Sequence, residues 1–281
     1  MKKRIILTFA ALVLLFLTGL SVMLYPLVSD YMNSLSQSRV IAQYSRELLN
    51  LSEADYSDII NSANEYNQSL MTKQNRFTMT AEELKEYRSI LDFTHSGVIG
   101  TLEIPVIKVK LPIYLGTEES TLQVGLGHLE GSSLPVGGPG THSVISGHRG
   151  LPSSTLLTNA DQLDIGDTFT LNILNEKLTY QIDHKVTVLP DDFSYLGIDP
   201  DKDYCTLLTC TPLGINSHRL LLRGSRISPE ENVKKPGNEN PLRGDARQVS
   251  AVIQYLIAAV PILIITFIYM FIKYRKSKGR S

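Results

Sequence analysis

The stretch DYCTLLTCTPLGINSHRLLLRG, residues 203–224, contains both cysteines of the chain and two apolar runs on either side of a Pro-Leu-Gly turn. Runs of this length, rich in Leu and Thr and bounded by Pro and Gly, are typical of β-strands. Residues at the two strand ends of a hairpin face each other across the loop. The segment therefore predicts two antiparallel strands that bring Arg219 within reach of Cys210.

The two cysteines are not expected to form a disulfide. Cys205 and Cys210 are five positions apart in one predicted strand, which puts them on opposite faces and roughly 16 Å apart, whereas a disulfide needs Cα atoms within about 7 Å. Each is then a free thiol. The residues alone leave two readings of Cys210 open: a reactive nucleophile, or a buried small apolar side chain.

Two uncharged segments near the ends of the 281-residue chain predict membrane helices, residues 5–28 and 249–272. Each exceeds the roughly 20 apolar residues that cross a bilayer. A buried core helix is the alternative for both, but core helices rarely lack a polar face. The first segment is also longer than a signal-peptide core and no Ala-x-Ala site follows it, so an uncleaved anchor is favoured over a cleaved signal.

Positive charge flanks the outer ends of both predicted spans and predicts their orientation. Residues 1–4 and the basic tail, 273–281, are therefore expected in the cytoplasm, and residues 29–248 outside the cell. The formal net charge of −1 gives no indication of nucleic-acid binding.

The part predicted to lie outside the cell, residues 29–248, divides into three regions that differ in residue pattern. Residues 29–96 have apolar side chains at helical spacing, with a break at 50–52, a loop at 71–80 and a capping-box pattern before a helix at 81–91. Residues 97–228 alternate as short strands with Gly and Pro between them, typical of a closed barrel or a sandwich. Short helical insertions are expected near 120–127 and 153–163. The polar segment 229–248 predicts a flexible tether.

A thiol nucleophile needs a base and a donor for the developing oxyanion. Arg219 is a permanently charged donor next to Cys210, but the base must come from elsewhere among six histidines. The residues alone do not choose among them. His148 stands out because Gly147 and Gly150 bracket it at a predicted strand end, where backbone can approach a ligand closely.

Three motifs in order resemble those of sortases, the cysteine transpeptidases of Gram-positive bacteria. TLLTC at 206–210 resembles their Thr-Leu-x-Thr-Cys signature, SGHRG at 146–150 their histidine segment, and HRLLLRG at 218–224 their arginine strand. The stretches at 98–117, 125–138 and 211–216 resemble class C, pilus-type members, as does the two-span layout. The resemblance implies an eight-stranded β-barrel with short helices, preceded by N-terminal helices and flanked by the two spans.

The resemblance also implies roles and partners. Cys210 would be the nucleophile, His148 the general acid and base, and Arg219 the oxyanion and substrate stabiliser. Thr209 would bond near the site as a substrate-binding residue, and Cys205 would be buried. The implied reaction cleaves an LPXTG-type sorting signal between Thr and Gly through a thioacyl-enzyme. A pilin lysine amine then resolves the intermediate, which polymerises the pilus. The sequence shows no metal-ligand cluster of recognisable spacing, so we expect no metal requirement and no cofactor. The expected partners are pilin subunits, the acceptor lysine amine of a pilin, and the bilayer.

One departure concerns the lid that pilus sortases usually carry before the barrel. The corresponding stretch, MTKQNRFTMTAEE at 71–83, lacks the Asp-Pro-aromatic motif. Phe77 and Met79 are the candidates to fill the cleft instead, and we expect weak or absent closure. Two alternatives to the pilus function remain: a housekeeping sortase that uses a peptidoglycan-precursor amine, and a non-catalytic membrane scaffold.

Overall fold

The computed structural model describes residues 2–94 and 96–228, together with Tyr269. The predicted tether at 229–248 and the basic tail at 273–281 lie outside the described residues, as does the predicted second span at 249–272 apart from Tyr269.

The first helix, α1, runs from Lys2 to Leu48 and contains Pro26. Among the described residues it is the one helix long and apolar enough to cross a membrane, over Ala10–Leu48. Its last part carries side chains that bond to the β-domain. Asp30 accepts from Thr155 N and Oγ1 at 2.7 and 2.9 Å, and Gln37 donates to Val124 O at 3.0 Å. The buried Tyr44 hydroxyl donates to Ile99 O at 2.8 Å.

Two further helices begin at capping boxes. Helix α2, Glu53–Leu70, starts with Ser52 and Asp55 bonding each other's backbone, and α3, Ala81–Ile90, starts with the same arrangement of Thr80 and Glu83. Each box satisfies two backbone donors that have no partner in the first helical turn. The loop between these helices, residues 71–80, is called the strap below.

Eight strands close into one barrel in the order β1-β2-β3-β4-β7-β8-β6-β5. The parallel pairs are β2 with β3 and β4 with β7, and the other pairs are antiparallel. The strands are β1 Val98–Ile104, β2 Val109–Leu115, β3 Leu126–His128, β4 Thr141–Ser146, β5 Thr168–Ile173, β6 Glu176–Val188, β7 Asp203–Thr211 and β8 His218–Arg226. A four-residue helix, α4 Glu119–Leu122, precedes β3.

Alternate residues of the central strands face the barrel interior and its outer surface. In β7, Cys205 and Leu207 pack inside the barrel with Leu222 of β8. Leu208 and Leu221, which have the opposite parity, belong to a second apolar cluster that also contains Val144. This second cluster lies on the outer face of β4, β7 and β8.

The structure confirms the eight-stranded barrel and excludes the sandwich alternative. One strand was not predicted: the segment 120–127, expected as a helical insertion, forms α4 and then the start of β3. With three residues, β3 is too short to show an alternating pattern. The break expected at 50–52 lies between α1 and α2. The predicted span at 5–28 and the predicted helix after it were expected as separate elements, but both belong to the single helix α1.

Candidate active site

Three neighbouring strands bring His148, Cys210 and Arg219 into one row. The antiparallel pairing of β7 and β8 makes Cys210 and Arg219 direct partners. Strand β4 runs parallel to β7 with Ser146 opposite Leu208, and the pairing continues because Gly147 N donates to Leu208 O at 3.0 Å. Continued by two residues beyond the end of β4, the same register would place His148 beside Cys210.

The row lies on the outer face of the barrel. Cys210 is half-buried, whereas Cys205 is fully buried inside, and both are free thiols. Burial raises the pKa of the Cys205 thiol well above its usual value, which disfavours the nucleophilic thiolate. The two cysteines therefore lie on opposite faces as strand parity predicts, and Cys210 is the accessible one.

The imidazole of His148 has a carboxylate neighbour that no sequence pattern predicts. Nε2 of His148 lies 3.4 Å from Oε2 of Glu119, on α4, and the His148 side chain is 26% exposed. The hydrogen bond from Gln123 lowers the pKa of the Glu119 carboxyl, and the charge of His148 lowers it further. The Glu119 carboxylate therefore faces the Nε2 side of the imidazole ring. Glu119 could not be recognised from the sequence, because it lies 29 positions before His148 and only the tertiary structure brings the two side chains together.

The turn between β7 and β8 holds the guanidinium of Arg219. Nη1 donates to Asn216 O and to His218 O, both at 3.2 Å. Both carbonyls accept from the same nitrogen, Nη1, whereas the guanidinium has five N–H donors in all. The arrangement is consistent with a cation that stabilises negative charge beside Cys210.

Thr209 is buried on the inner face, where it is 1% exposed. Its hydroxyl donates to Gly147 O at 2.8 Å. The residue thus ties β7 to the end of β4, directly before His148, and faces away from the outer surface. This placement gives Thr209 a bond that positions the row, whereas the sequence led us to expect a contact with substrate.

Below the row, the outer face forms an apolar floor that the strap contacts. Phe77 packs against this floor, which contains Val144, Val186, Val188, Leu208 and Leu221. Its ring also stacks on Phe193 of the β6–β7 loop, with centroids 4.7 Å apart. Arg76 of the strap donates to Leu196 O in the same loop, and Met79 packs instead on the main core. The strap is thus anchored without an Asp-Pro motif, and the expectation of weak or absent closure stays a prediction.

The remaining histidines have other surroundings. Nδ1 of His142 donates to Gly197 O at 2.7 Å, Nε2 accepts from Thr206 Oγ1 at 2.8 Å, and burial lowers its pKa to about 4. His128 is fully buried between Tyr87 and Ser133 O, also with a pKa lowered by burial to about 4. His218 bonds Ser217, and His184 stacks on Tyr195. His95 lies outside the described residues.

The part of the chain that the structure describes contains no group of three or more His, Cys, Asp or Glu side chains that could hold a metal ion. The expectation that the reaction needs no metal stays a prediction, which activity measurements with and without a chelator will check.

A closed barrel with a thiol, an imidazole and a guanidinium in one row on its outer face defines a protein equipped for thiol-based acyl transfer. Comparison with known proteins agrees. A sequence model described as the sortase domain matches residues 102–227. The crystal structure of sortase C1 from Streptococcus agalactiae is 50% identical, with a TM-score of 0.66, and the match covers 68% of this chain and 98% of that chain.

Other relatives are consistent with this match. Sortase C of Streptococcus pneumoniae is 43% identical, with a TM-score of 0.61, over 68% of this chain and 97% of that chain. Sortase D of Bacillus subtilis is 33% identical over 132 residues, which are 46% of this chain and 64% of that relative. The chain thus spans less than two thirds of the length of the curated relatives it matches. It belongs to the sortase family, and the solved structures similar to it include sortases of class C.

Proposed function

We propose that this protein is a membrane-anchored transpeptidase that cleaves LPXTG-type sorting signals between Thr and Gly and joins the product to a pilin lysine. The observation that carries the proposal is the pairing of Cys210 with Arg219 on β7 and β8, with His148 two residues beyond the end of β4. Rigid strands hold such groups in fixed relative positions, which is what acyl transfer requires.

In the first half of the reaction, His148 takes the proton of the Cys210 thiol, and the sulfur attacks the threonine carbonyl. Arg219 stabilises the negative charge that develops on the carbonyl oxygen. The tetrahedral intermediate collapses when the Thr–Gly bond breaks. His148 returns the proton to the leaving glycine amine, and a thioacyl-enzyme remains.

In the second half, the ε-amine of a pilin lysine attacks the thioester carbonyl and gives a proton to His148. The carbon–sulfur bond then breaks, Cys210 leaves as the thiolate and regains the proton, and an isopeptide bond has formed. Thiolate is a good leaving group, so two moderate barriers replace one high barrier for direct amide exchange.

The class C neighbours support pilin as the substrate. The work on sortase C of Streptococcus pneumoniae addresses pilin substrate specificity, and another similar structure is sortase C1 of a pilus island. The apolar helix α1 supports attachment to the cell membrane. We propose that the barrel faces the cell wall, with both termini in the cytoplasm and a second span at 249–272.

The test is reconstitution with a pilin subunit that carries an LPXTG-type signal. Wild-type protein is expected to form ladders that resist SDS, and Cys210→Ala is expected to form neither ladders nor a thioacyl adduct. Substitution of His148 or Arg219 should reduce both steps. Cleavage without ladders, combined with transfer to a peptidoglycan-type amine, would favour the housekeeping function. Absence of both adduct and cleavage would favour a non-catalytic scaffold.

A further inference from the structure

A buried ion pair lies on the inner side of the row, and the reaction scheme above does not use it. Arg149 directly follows His148, and its side chain is 0% exposed. Its Nη2 lies 2.8 Å from Oδ1 of Asp161, whose side chain is 19% exposed. The pair sits at the end of β4, where the chain leaves the barrel.

The guanidinium of Arg149 joins three parts of the chain. Besides Asp161, it contacts Thr158, whose carbonyl accepts from Nε at 3.0 Å, and Thr211, whose hydroxyl accepts from Nη1 at 3.4 Å. Thr211 directly follows Cys210. The guanidinium of the residue after His148 is therefore bonded to the residue after Cys210.

Backbone bonds complete this connection. Gly150 N donates to Thr158 Oγ1 at 3.1 Å, and Leu157 N donates to His148 O at 3.2 Å. On the other side, the Thr209 hydroxyl holds Gly147 O at 2.8 Å. His148 is thus fixed by bonds before, at and after its own position, and the bonds after it depend on the segment that Arg149 and Asp161 hold together.

A buried ion pair is an inefficient way to stabilise a fold. The cost of removing two charges from water often equals or exceeds their attraction, and apolar pairs of similar volume commonly replace such a pair without loss of stability. A guanidinium differs from an apolar side chain in its fixed directional donors. These donors have a use here, because Arg149 aligns two segments that carry the reacting groups.

We propose that Arg149, held by Asp161, is a positioning residue that sets the register of His148 against Cys210. The proposal rests on the proposed function, since it assigns no chemistry of its own to either residue. A misplacement of about 1 Å in reacting groups lowers rates on the order of 10²-fold. Loss of the guanidinium fork should therefore reduce turnover far more than it reduces stability.

The test separates positioning from folding by removing both charges together. Arg149→Met alone leaves a largely buried carboxylate without its cation and is expected to lower the melting temperature. The double variant Arg149→Met/Asp161→Leu is expected to melt near the wild-type temperature. Its kcat should nevertheless fall on the order of 10²-fold while KM changes little. Lys110→Met/Glu103→Leu, which removes a remote cross-strand ion pair, is the matched control and should keep wild-type kcat.

A second readout does not depend on any sorting signal. The rate of alkylation of Cys210 by iodoacetamide, followed across pH, reports how the thiol and its neighbours ionise together. The double variant should change the shape of that profile, and Cys210→Ala identifies the modified thiol because Cys205 is fully buried. If the proposed transpeptidation is wrong, the turnover assay fails for the wild type too, while the alkylation assay still tests the positioning.

Arg149→Lys distinguishes charge from geometry. Lysine keeps the ion pair with Asp161 but lacks the planar fork that reaches Thr158 and Thr211 together, so only partial recovery of kcat is expected. Full recovery by lysine would overturn the positioning role. So would a double variant that melts normally and has wild-type kcat and a wild-type alkylation profile.

Discussion

Replacing Phe77 with alanine removes the ring that holds the strap, residues 71–80, against the apolar floor below Cys210. The ring contacts the floor and stacks on Phe193. With the ring gone, the strap keeps Arg76, which donates to Leu196 O, and Met79, which packs on the main core. We expect the floor to become accessible to a bound peptide in Phe77→Ala.

The size of the effect follows from the burial of the ring. A fully buried phenylalanine costs about 3–5 kcal/mol when truncated to alanine, and Phe77 is half-buried, so about 2 kcal/mol is expected here. At 1.4 kcal/mol per factor of ten, this shifts the equilibrium between docked and released strap by about 30-fold. Apparent affinity scales with the fraction of competent protein. The KM for a sorting-signal peptide should therefore fall by up to about 30-fold.

Steady-state cleavage of a fluorogenic sorting-signal peptide measures this effect. We expect a lower KM and an unchanged kcat, since Phe77 does not belong to the row. Met79→Ala is the matched control within the strap, because its side chain packs on the main core rather than the floor. A cycle with Phe193→Ala should give a coupling of about 0.5–1.5 kcal/mol for the stacked pair.

An unchanged KM in Phe77→Ala would refute this reasoning. It would mean that the contact between Phe77 and the floor does not limit access. That result would agree with the expectation of weak or absent closure, which was drawn from the missing Asp-Pro motif.

Three further predictions concern other parts of the molecule. Cys210→Ala should abolish trapping of a thioacyl adduct in mass spectrometry, whereas Cys205→Ala should retain it; the reverse pattern would refute the assignment of the nucleophile. Because burial lowers the pKa of His128 and His142 from 6.5 to about 4, the unfolded chain binds more protons between these values. The free energy of unfolding should then fall as pH drops from about 6.5 to about 4, on the order of 3 kcal/mol per histidine. Urea unfolding at about pH 7 and about pH 4.5 measures this difference, and equal free energies at the two pH values would contradict the prediction. Tyr44→Phe removes a buried hydroxyl that bonds two backbone groups and should cost about 1–3 kcal/mol; an unchanged melting curve would argue against it.

The hairpin and its partner residues could be predicted from sequence because they depend on local patterns. Strand parity separated Cys205 from Cys210, and the short loop placed Arg219 opposite Cys210. Residue patterns alone did not select His148, because its place depends on the parallel pairing of β4 and β7. Parallel pairs leave no turn signal between them, and the resemblance to sortases made the choice.

Other features had no local signal at all. Arg149 reads as an ordinary basic residue in sequence, and its partner Asp161 lies in an irregular segment whose path depends on the closed barrel. The anchoring of the strap could not be predicted either, because Phe77 and Phe193, whose rings stack, are more than a hundred positions apart in the chain. The sequence supplied the candidates Phe77 and Met79, but only the fold distinguishes their surroundings.

The parallel pairing of β4 with β7 also bears on when the row of His148, Cys210 and Arg219 forms during folding. It joins residues 62 positions apart, such as Thr141 and Asp203, and contacts between distant residues form slowly because a long loop must close first. Synthesis begins at the N-terminus, so the histidine segment at 146–150 is made well before strands β7 and β8, which carry Cys210 and Arg219. A partly synthesised chain therefore has no assembled row, and the Cys210 thiol gains its partners only when β7 and β8 complete the barrel.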